Sequence, residues 1–279
     1  MAVKIVTDSV SDISPAIADE LGITVVPLNV VFGSNIYRDG IDITTEEFYR
    51  KLENSQVLPT TSTPPLQTFI EVYEKLAEET DEIMVITISR KLSATGESAL
   101  KATDSVSKKC RIEVVDSGWA MMAEGLLAIA AAKAASGGED LDALIKLTKY
   151  NSKRMDMRLA FDTLEYLKRG GRIGKARALM GSMLGINPIL GIKDGEVFPF
   201  GRERSRARAI ENLHQFVLGY SNIEELSVED ATTPDETEGL IEKISMKFPK
   251  ERIYRSKLSP VIGTNTGPHV IGVAVLGDR

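Results

Sequence analysis

The sequence predicts an α/β protein of two domains: an N-terminal, mainly parallel sheet sandwiched by helices, and a C-terminal α+β domain with a mixed or antiparallel sheet. Short apolar runs alternate with helical segments through the first half, which is typical of a parallel sheet covered on both faces. The second half contains a β-hairpin signature and a different order of elements. The 279 residues suffice for two domains, which we place at 1–152 and 153–279, although the last strand could return to the first domain.

The first half begins with a strand at 4–7, and its first helices carry clear start signals. Ser14 is a favoured N-cap and Pro15 suits the first helical position, so a helix is expected from there to Gly22. Thr44 and Glu47 form a capping box ahead of a second helix. The remaining predicted elements are a β-rich stretch at 23–32, a proline-bracketed loop at 59–65, a helix at 65–79, strands at 83–88 and 112–115, a helix ending near 108 and an alanine-rich helix ending at 137–138.

The second half is predicted to start with a strand at 157–161 and a helix at 162–168. A glycine loop at 170–174 then leads into a Met/Leu-rich helix at 176–184. Strands at 189–193 and 197–200 flank Asp194-Gly195, a dipeptide that suits a type I′ hairpin turn. The chain continues with helices at 206–220 and 234–248 and strands at 223–228, 252–255 and 270–276.

Composition and missing motifs exclude several functions. The net charge of −6 gives no indication of nucleic-acid binding, and no apolar segment is long enough to span a bilayer, so we expect no stable membrane insertion. Two histidines and one cysteine make us expect no metal site, and the missing secretion signal predicts a cytoplasmic protein. The sequence lacks a phosphate loop, a dinucleotide fingerprint and a nucleophile elbow, so we expect no cofactor and no catalytic residue.

Hydroxyl and carboxylate side chains follow the predicted strands of the first half. Because the carboxyl ends of parallel strands meet at one edge of a sheet, these groups should converge where α/β folds bind ligands. Helix capping alone explains any one of them. Together they favour a polar pocket lined by hydroxyls, drawn from Thr7-Asp8-Ser9, Ser89, Ser93, Thr95, Asp116-Ser117 and the loop Thr60-Thr61-Ser62-Thr63.

An ordered set of motifs spans nearly the whole chain. It comprises Thr7-Asp8-Ser9, Arg38-Asp39-Gly40, Thr61-Ser62-Thr63-Pro64, Ser89-Arg90-Lys91-Leu92-Ser93-Ala94-Thr95, Val115-Asp116-Ser117, Lys168-Arg169-Gly170-Gly171-Arg172-Ile173-Gly174 and Gly263-Thr264-Asn265-Thr266-Gly267-Pro268. This set resembles the DegV family, bacterial fatty-acid-binding proteins that serve as carrier subunits of a fatty acid kinase. The resemblance implies a long-chain fatty acid held between two domains and presented to a separate ATP-dependent kinase.

The resemblance implies roles for the head-group residues, and the chemistry of other side chains suggests further roles. The carboxyl group of the fatty acid would be bound by Thr61, Ser62, Ser93 and Thr95, with either Asn265 or His269 completing the head-group site, because the family commonly has His where this chain has Asn265. Supporting roles fall to Asp8, Arg38, Asp39, Gly171 and Arg172, and we consider an Arg38–Asp39 ion pair at the mouth. Met180, Met183 and Leu184 would cover the tail, unless this stripe is plain core. Kinase docking would use Arg202, Arg204 and Arg206, unless these arginines form a solvated helix start.

The physical chemistry agrees with a fatty acid ligand. Burying a tail gains about 0.8 kcal/mol per methylene, whereas a buried carboxylate must be hydrogen-bonded. Two other functions stay open at the level of sequence. The fold also resembles the substrate-binding half of dihydroxyacetone kinases, which suggests a small polar metabolite, and Ser93 could serve a hydrolase or phosphotransferase.

Overall fold

The computed structural model describes residues 2–107, 109–182 and 185–279. Its strands are β1 Lys4–Asp8, β2 Ile23–Val26, β3 Asn29–Phe32, β4 Asn35–Arg38, β5 Thr60–Ser62, β6 Glu82–Thr87, β7 Arg111–Asp116, β8 Met155–Ala160, β9 Asn187–Lys193, β10 Glu196–Glu203, β11 Asn222–Asp230, β12 Ile253–Lys257 and β13 Ile271–Asp278. Its helices are α1 Pro15–Leu21, α2 Thr45–Asn54, α3 Leu66–Ala77, α4 Thr95–Thr103, α5 Met122–Ser136, α6 Leu141–Ser152, α7 Glu165–Arg169, α8 Arg206–Leu218, α9 Pro234–Ser245 and α10 Pro260–Thr266.

The first half is built on a parallel sheet with the strand order β2-β1-β6-β7. Its central strands are almost wholly buried, as expected when helices cover both faces. Ser14 accepts a hydrogen bond from the amide of Ile17 at the start of α1, and the predicted capping box of α2 is present. The predicted α/β architecture is therefore confirmed in this half of the chain.

A small, separate antiparallel sheet has the strand order β4-β3-β5, and its strands follow β2 along the chain. The predicted β-rich stretch 23–32 is divided at Pro27 between β2 and β3, which belong to different sheets. Proline has no amide hydrogen and cannot continue a ladder through a sheet interior. The segment predicted as a loop at 59–65 contains β5, whose Thr61 pairs with Val30.

The second half is built on a mixed sheet with the order β10-β9-β8-β13-β11-β12, in which β11 and β12 are parallel and the other neighbours antiparallel. The hairpin at Asp194 and Gly195 is confirmed, with φ values of 53° and 80° that a type I′ turn requires. The last strand, β13, lies between β8 and β11, so it does not return to the first sheet.

Helix α5 lies between the two sheets and is buried along almost its whole length. It packs against β1 and β6 on one side and against β11 and β13 on the other. One continuous apolar core therefore joins both halves, and it includes Met84, Leu126 and Leu276. Gly125 allows α5 to approach Ser11 so closely that an added Cβ would collide with the carbonyl oxygen of Ser11.

Two segments around the glycine loop differ from prediction. The segment expected as a Met/Leu-rich helix at 176–184 forms a 3₁₀ helix at Gly174–Ser182. The closing glycine-rich motif, for which no element was predicted, forms the end of α10, and this helix packs against α2, α7, β3 and β5. Along the described ranges, no helix combines the length and apolar character needed to cross a membrane.

Candidate ligand-binding site

A cavity of about 80 Å³ lies where the carboxyl ends of the parallel strands meet the second half of the chain. We call it the ligand cavity. Its apolar lining consists of Val10, Leu28, Ile88, Leu92, Ala120, Met121, Leu167, Ile192, Val197, Val261 and Ile262. Its polar lining consists of Thr61, Ser93, Arg172, Asn265 and Thr266. The lining is thus amphipathic, which suits a molecule with one polar group and a larger apolar part.

Ser93 stands in the turn between β6 and α4, and Thr95 fixes its hydroxyl group. The Ser93 Oγ lies 2.9 Å from the Thr95 Oγ1, and the Thr95 amide donates to the Ser93 Oγ over 3.3 Å. When the Thr95 hydroxyl is also the donor, the Ser93 hydrogen is free to point into the ligand cavity. Thr95 itself is buried behind Ser93 and outside the lining, so it positions Ser93 rather than facing a ligand.

Strand alternation separates the two hydroxyls predicted on β5. Thr61 lines the ligand cavity, whereas the next residue, Ser62, is exposed and accepts a hydrogen bond of 3.4 Å from the Asn29 side-chain amide. Successive side chains of a strand point to opposite faces, so both residues cannot face one ligand.

Asn265 and His269, the two alternatives for the head-group site, lie in different surroundings. Asn265 lines the ligand cavity, and its side-chain amide donates to the carbonyl of Val261 over 3.1 Å. An added Cβ on Gly170 would collide with the Asn265 Oδ1, which gives the glycine loop a physical reason for its composition. His269 is exposed outside the cavity and lies 3.4 Å from the hydroxyl of Thr232.

Arg172 brings positive charge to the lining of the ligand cavity. Its Nε donates to the Leu92 carbonyl over 3.2 Å, and its Nη1 donates to the Gly170 carbonyl over 2.6 Å. The side chain thus spans from the glycine loop of the second half to the segment that carries Ser93. Gly171, with a φ of 73°, makes the left-handed turn that directs the chain into Arg172.

The predicted tail residues are only partly described. Met180 is half-buried and packs against the main core, outside the lining of the ligand cavity. Met183 and Leu184 lie outside the described residues.

The Arg38–Asp39 ion pair considered from sequence does not form. Arg38 instead pairs with Asp42, its Nε lying 2.9 Å from the Asp42 Oδ2 on the exposed side of the turn. Asp39 points inward, where it accepts a hydrogen bond of 2.8 Å from the Ser9 hydroxyl. Arg38 is the last residue of β4 and Asp39 follows it, so their side chains point in opposite directions. This separates the arginine from its predicted partner.

Asp8 connects two strand ends beneath the ligand cavity. Its carboxylate accepts from the amide of Val10 over 3.0 Å and from the amide of Ile88 over 2.9 Å. Burial raises the pKa of Asp8 to about 7 in spite of these hydrogen bonds. Asp8 thus fastens the β1 and β6 ends that carry the site.

A group of buried acids, which no sequence pattern had predicted, lies at the seam between the halves. This buried carboxyl cluster consists of Asp8, Asp12, Asp39, Glu124, Glu229 and Asp230. Burial raises the pKa of Asp39 to about 7 and that of Glu229 to about 8, and it also raises the pKa values of Asp12 and Glu124. Lys257 lies 2.8 Å from Asp230; among the described residues, no other lysine or arginine bonds to the cluster. Glu124 within an alanine-rich run was the available sequence signal.

The three arginines predicted to dock a kinase differ in their environment. Arg202 and Arg204 are exposed on and beside β10. Arg206 is half-buried, and its guanidinium contacts Glu236 at 2.6 Å and Asp162 at 3.1 Å. It therefore connects α8 to α9 and to the end of β8 rather than presenting its charge to a partner.

Fold and cavity define a two-domain α/β protein with an amphipathic cavity between its halves. The family model described as an uncharacterised protein of the DegV family matches residues 2–278. A DegV domain-containing protein of Clostridium perfringens is 34% identical over 280 residues, with 98% of each chain covered. The chain belongs to the DegV family, as its motifs predicted.

Solved structures show the same fold. The chain is similar to a DegV family protein from Thermus thermophilus, described by its fatty acid binding, with 32% identity, a TM-score of 0.91 and coverage of 99% of this chain and 100% of that one. It is also similar to DegV of Bacillus subtilis, a fatty acid binding protein, with 30% identity, a TM-score of 0.89 and coverage of 99% of each chain.

Proposed function

We propose that this chain binds one long-chain fatty acid in the ligand cavity. The observation that carries the proposal is the lining, which is apolar apart from two threonines, a serine, an asparagine and an arginine. The Ser93 and Thr61 hydroxyls would donate to the carboxylate, Asn265 and Arg172 would complete its hydrogen bonds, and the tail would lie against the apolar side chains. The fatty acid binding of the Thermus and Bacillus relatives supports this assignment.

Binding a long acyl chain requires the lining to move. Sites for drug-sized ligands enclose roughly 300–1,000 Å³, whereas the ligand cavity encloses about 80 Å³. Met121 and Leu92 are the side chains that we expect to move, since both are flexible parts of the lining and methionine adapts to irregular apolar shapes. Each methylene that displaces water from this surface adds about 0.8 kcal/mol, which offsets the cost of rearrangement.

The other two functions receive less support. A small polar metabolite would leave most of the apolar lining without a complementary surface. A nucleophilic Ser93 needs a base within hydrogen-bonding reach. Both histidines are held elsewhere, His214 against Glu211 and His269 against Thr232. We therefore propose a binding protein that does no chemistry alone.

The proposal predicts that Ser93→Ala weakens fatty acid binding by about ten- to a hundredfold. A hydrogen bond to a charged group contributes roughly 1.5–3 kcal/mol, and each 1.4 kcal/mol is a factor of ten. The measurement is oleate affinity, together with mass spectrometry of an organic extract of the purified wild type, which should contain one fatty acid per chain.

Ser62→Ala is the matched control, because it removes a hydroxyl next to Thr61 on β5 that lies outside the cavity lining. It should bind oleate as the wild type does, and all three proteins should melt alike. Equal affinities for Ser93→Ala and the wild type would place the carboxylate elsewhere. An extract that contains a polar metabolite in place of a fatty acid would favour the second function.

We further propose that the chain presents its fatty acid to a separate ATP-dependent kinase, as membership of the family suggests. Arg202→Glu with Arg204→Glu should then slow acyl phosphate formation by the purified fatty acid kinase of the same organism while leaving oleate affinity intact. The effect should shrink at high salt, because exposed charges are screened. Lys101→Glu with Lys149→Glu reverses two exposed charges elsewhere and serves as the control. Equal rates of acyl phosphate formation for the two double variants would show that the docking surface lies away from β10.

A further inference from the structure

A second and larger space opens beside the ligand cavity. This groove encloses about 630 Å³ and lies between the two halves, at the β7 end of the parallel sheet and the start of β8. Ile192 lines both spaces, and on the side of the larger one the Ser89 hydroxyl donates to the Gly195 carbonyl over 2.7 Å. We call it the basic groove. Its volume is within the range of small-molecule sites.

The charge of the basic groove is opposite to that of the chain. Its lining contains six lysines and arginines against three aspartates, a formal excess of 6 − 3 = +3, whereas the whole chain carries −6. Lys153 and Lys193 are exposed in this lining, and neither forms an ion pair with a described residue. Unpaired cations within a concave wall focus a positive potential that attracts anions.

Arg158 gives the groove a fixed interior cation. The residue is 8% exposed, and its guanidinium lies 3.3 Å from the ring centre of Phe200 and 4.6 Å from that of Phe216. Its Nη1 bonds to Asp156 and to the Met157 carbonyl, whereas Nε and Nη2 have no hydrogen-bond partner among the described residues. A buried guanidinium that lies over two aromatic rings keeps its orientation and has donors left for an oxyanion.

We infer that the basic groove is a second ligand site, for a small molecule that carries a phosphate group. The planar donors of Arg158 match a phosphate, and Lys153 and Lys193 supply mobile charges at the rim. An acidic protein surface fits less well, because Arg158 lies too deep for a flat partner to reach. This site is distinct from the fatty acid site and does not depend on it.

The single tryptophan of the chain provides the measurement. Trp119 lines the basic groove, and its indole nitrogen is held 3.1 Å from the Ser152 carbonyl, so its fluorescence should report occupancy of the groove. The wild type is titrated with inorganic phosphate and, separately, with adenosine monophosphate, at constant ionic strength. A saturable change with phosphate alone identifies a site for the bare ion, and a tighter response to the nucleotide identifies a phosphate ester as the ligand.

Lys153→Gln with Lys193→Gln should weaken the response about tenfold, since two exposed charge contacts contribute up to roughly a factor of five each. Lys101→Gln with Arg208→Gln removes the same charge from exposed positions outside the groove and should respond as the wild type does. Ser93→Ala should also respond normally, which separates this site from the ligand cavity. Absence of a saturable response to either probe, or equal weakening in the control pair, overturns the inference.

Discussion

Gly125→Ala is expected to destabilise the protein by about 3 kcal/mol or to prevent folding. The added methyl group would collide with the Ser11 carbonyl oxygen and would also crowd Ile13 and Met122, at 3.1 Å from each. Backbone cannot yield as a flexible side chain does, and overpacking of a tight core typically costs 1–3 kcal/mol or more. The higher helix propensity of alanine recovers only about 1 kcal/mol. The measurement is the free energy of unfolding in urea.

Gly239→Ala is the matched control within α9. A Cβ there meets nothing within 4 Å, and the backbone is helical, so only the propensity gain remains. We expect Gly239→Ala to raise the free energy of unfolding by roughly 0.5–1 kcal/mol. If both variants changed stability in the same direction by similar amounts, the close approach of α5 to the 3₁₀ helix at Ser9–Ser11 would not determine the packing of the core.

The buried carboxyl cluster should make the protein less stable as pH rises from about 5 to 8. Burial raises the pKa of Asp8 and Asp39 to about 7 and that of Glu229 to about 8. The folded chain therefore holds protons that the unfolded chain releases above about pH 4. The contribution of these groups to the free energy of unfolding is fully present below about pH 4. Above that pH, each group lowers the free energy of unfolding by about 1.4 kcal/mol per pH unit until its folded pKa is reached. Because neighbouring carboxyl groups of the cluster interact, their losses do not simply add; a net loss of about 3 kcal/mol corresponds to a melting temperature lower by roughly 10 °C.

Glu229→Gln should make the melting temperature less dependent on pH over this range. The amide preserves the acceptor for the Met122 backbone N–H, 3.1 Å away, and removes one titrating group. Glu211→Gln is the control: Lys243 holds the pKa of Glu211 at about 2, so that carboxyl contributes pH dependence only below about pH 4. A melting temperature that stays constant or rises between pH 5 and 8 would contradict the assignment of protons to the cluster.

Local signals predicted most of the architecture. Alternating apolar runs and helix caps gave the parallel sheet and its helices, and Asp194-Gly195 gave the hairpin because few other dipeptides tolerate two positive φ values. The hydroxyl after β6 and the arginine of the glycine loop do line one cavity, since strand ends and glycine turns have a predictable place in α/β folds. The boundary near residue 152 stays a prediction.

Features that depend on distant contacts were not predictable. The helix α10 contains Gly263 and three threonine or asparagine residues of low helix propensity, and it is stabilised by packing against α2 and by the Tyr49 hydroxyl donating to the Leu258 carbonyl over 3.1 Å. The inward direction of Asp39 follows from the hydroxyl of Ser9, thirty residues earlier. Apart from Glu124, which stands in an alanine-rich run, the buried carboxyl groups have no sequence neighbours that indicate their burial.

The position of α5 has a consequence for cooperativity. Helix α5 is apolar over almost all of its surface, apart from the buried Glu124 and the exposed Lys133 near its end, and each sheet covers one side of it. If the two halves separated, one apolar side of α5 would be exposed, together with the inner surface of the sheet that had covered it. We expect a fragment with such a surface to aggregate rather than fold. We therefore expect the two halves to unfold as one unit, and a ligand that enters the cavity between them to displace side chains instead of parting two independent bodies.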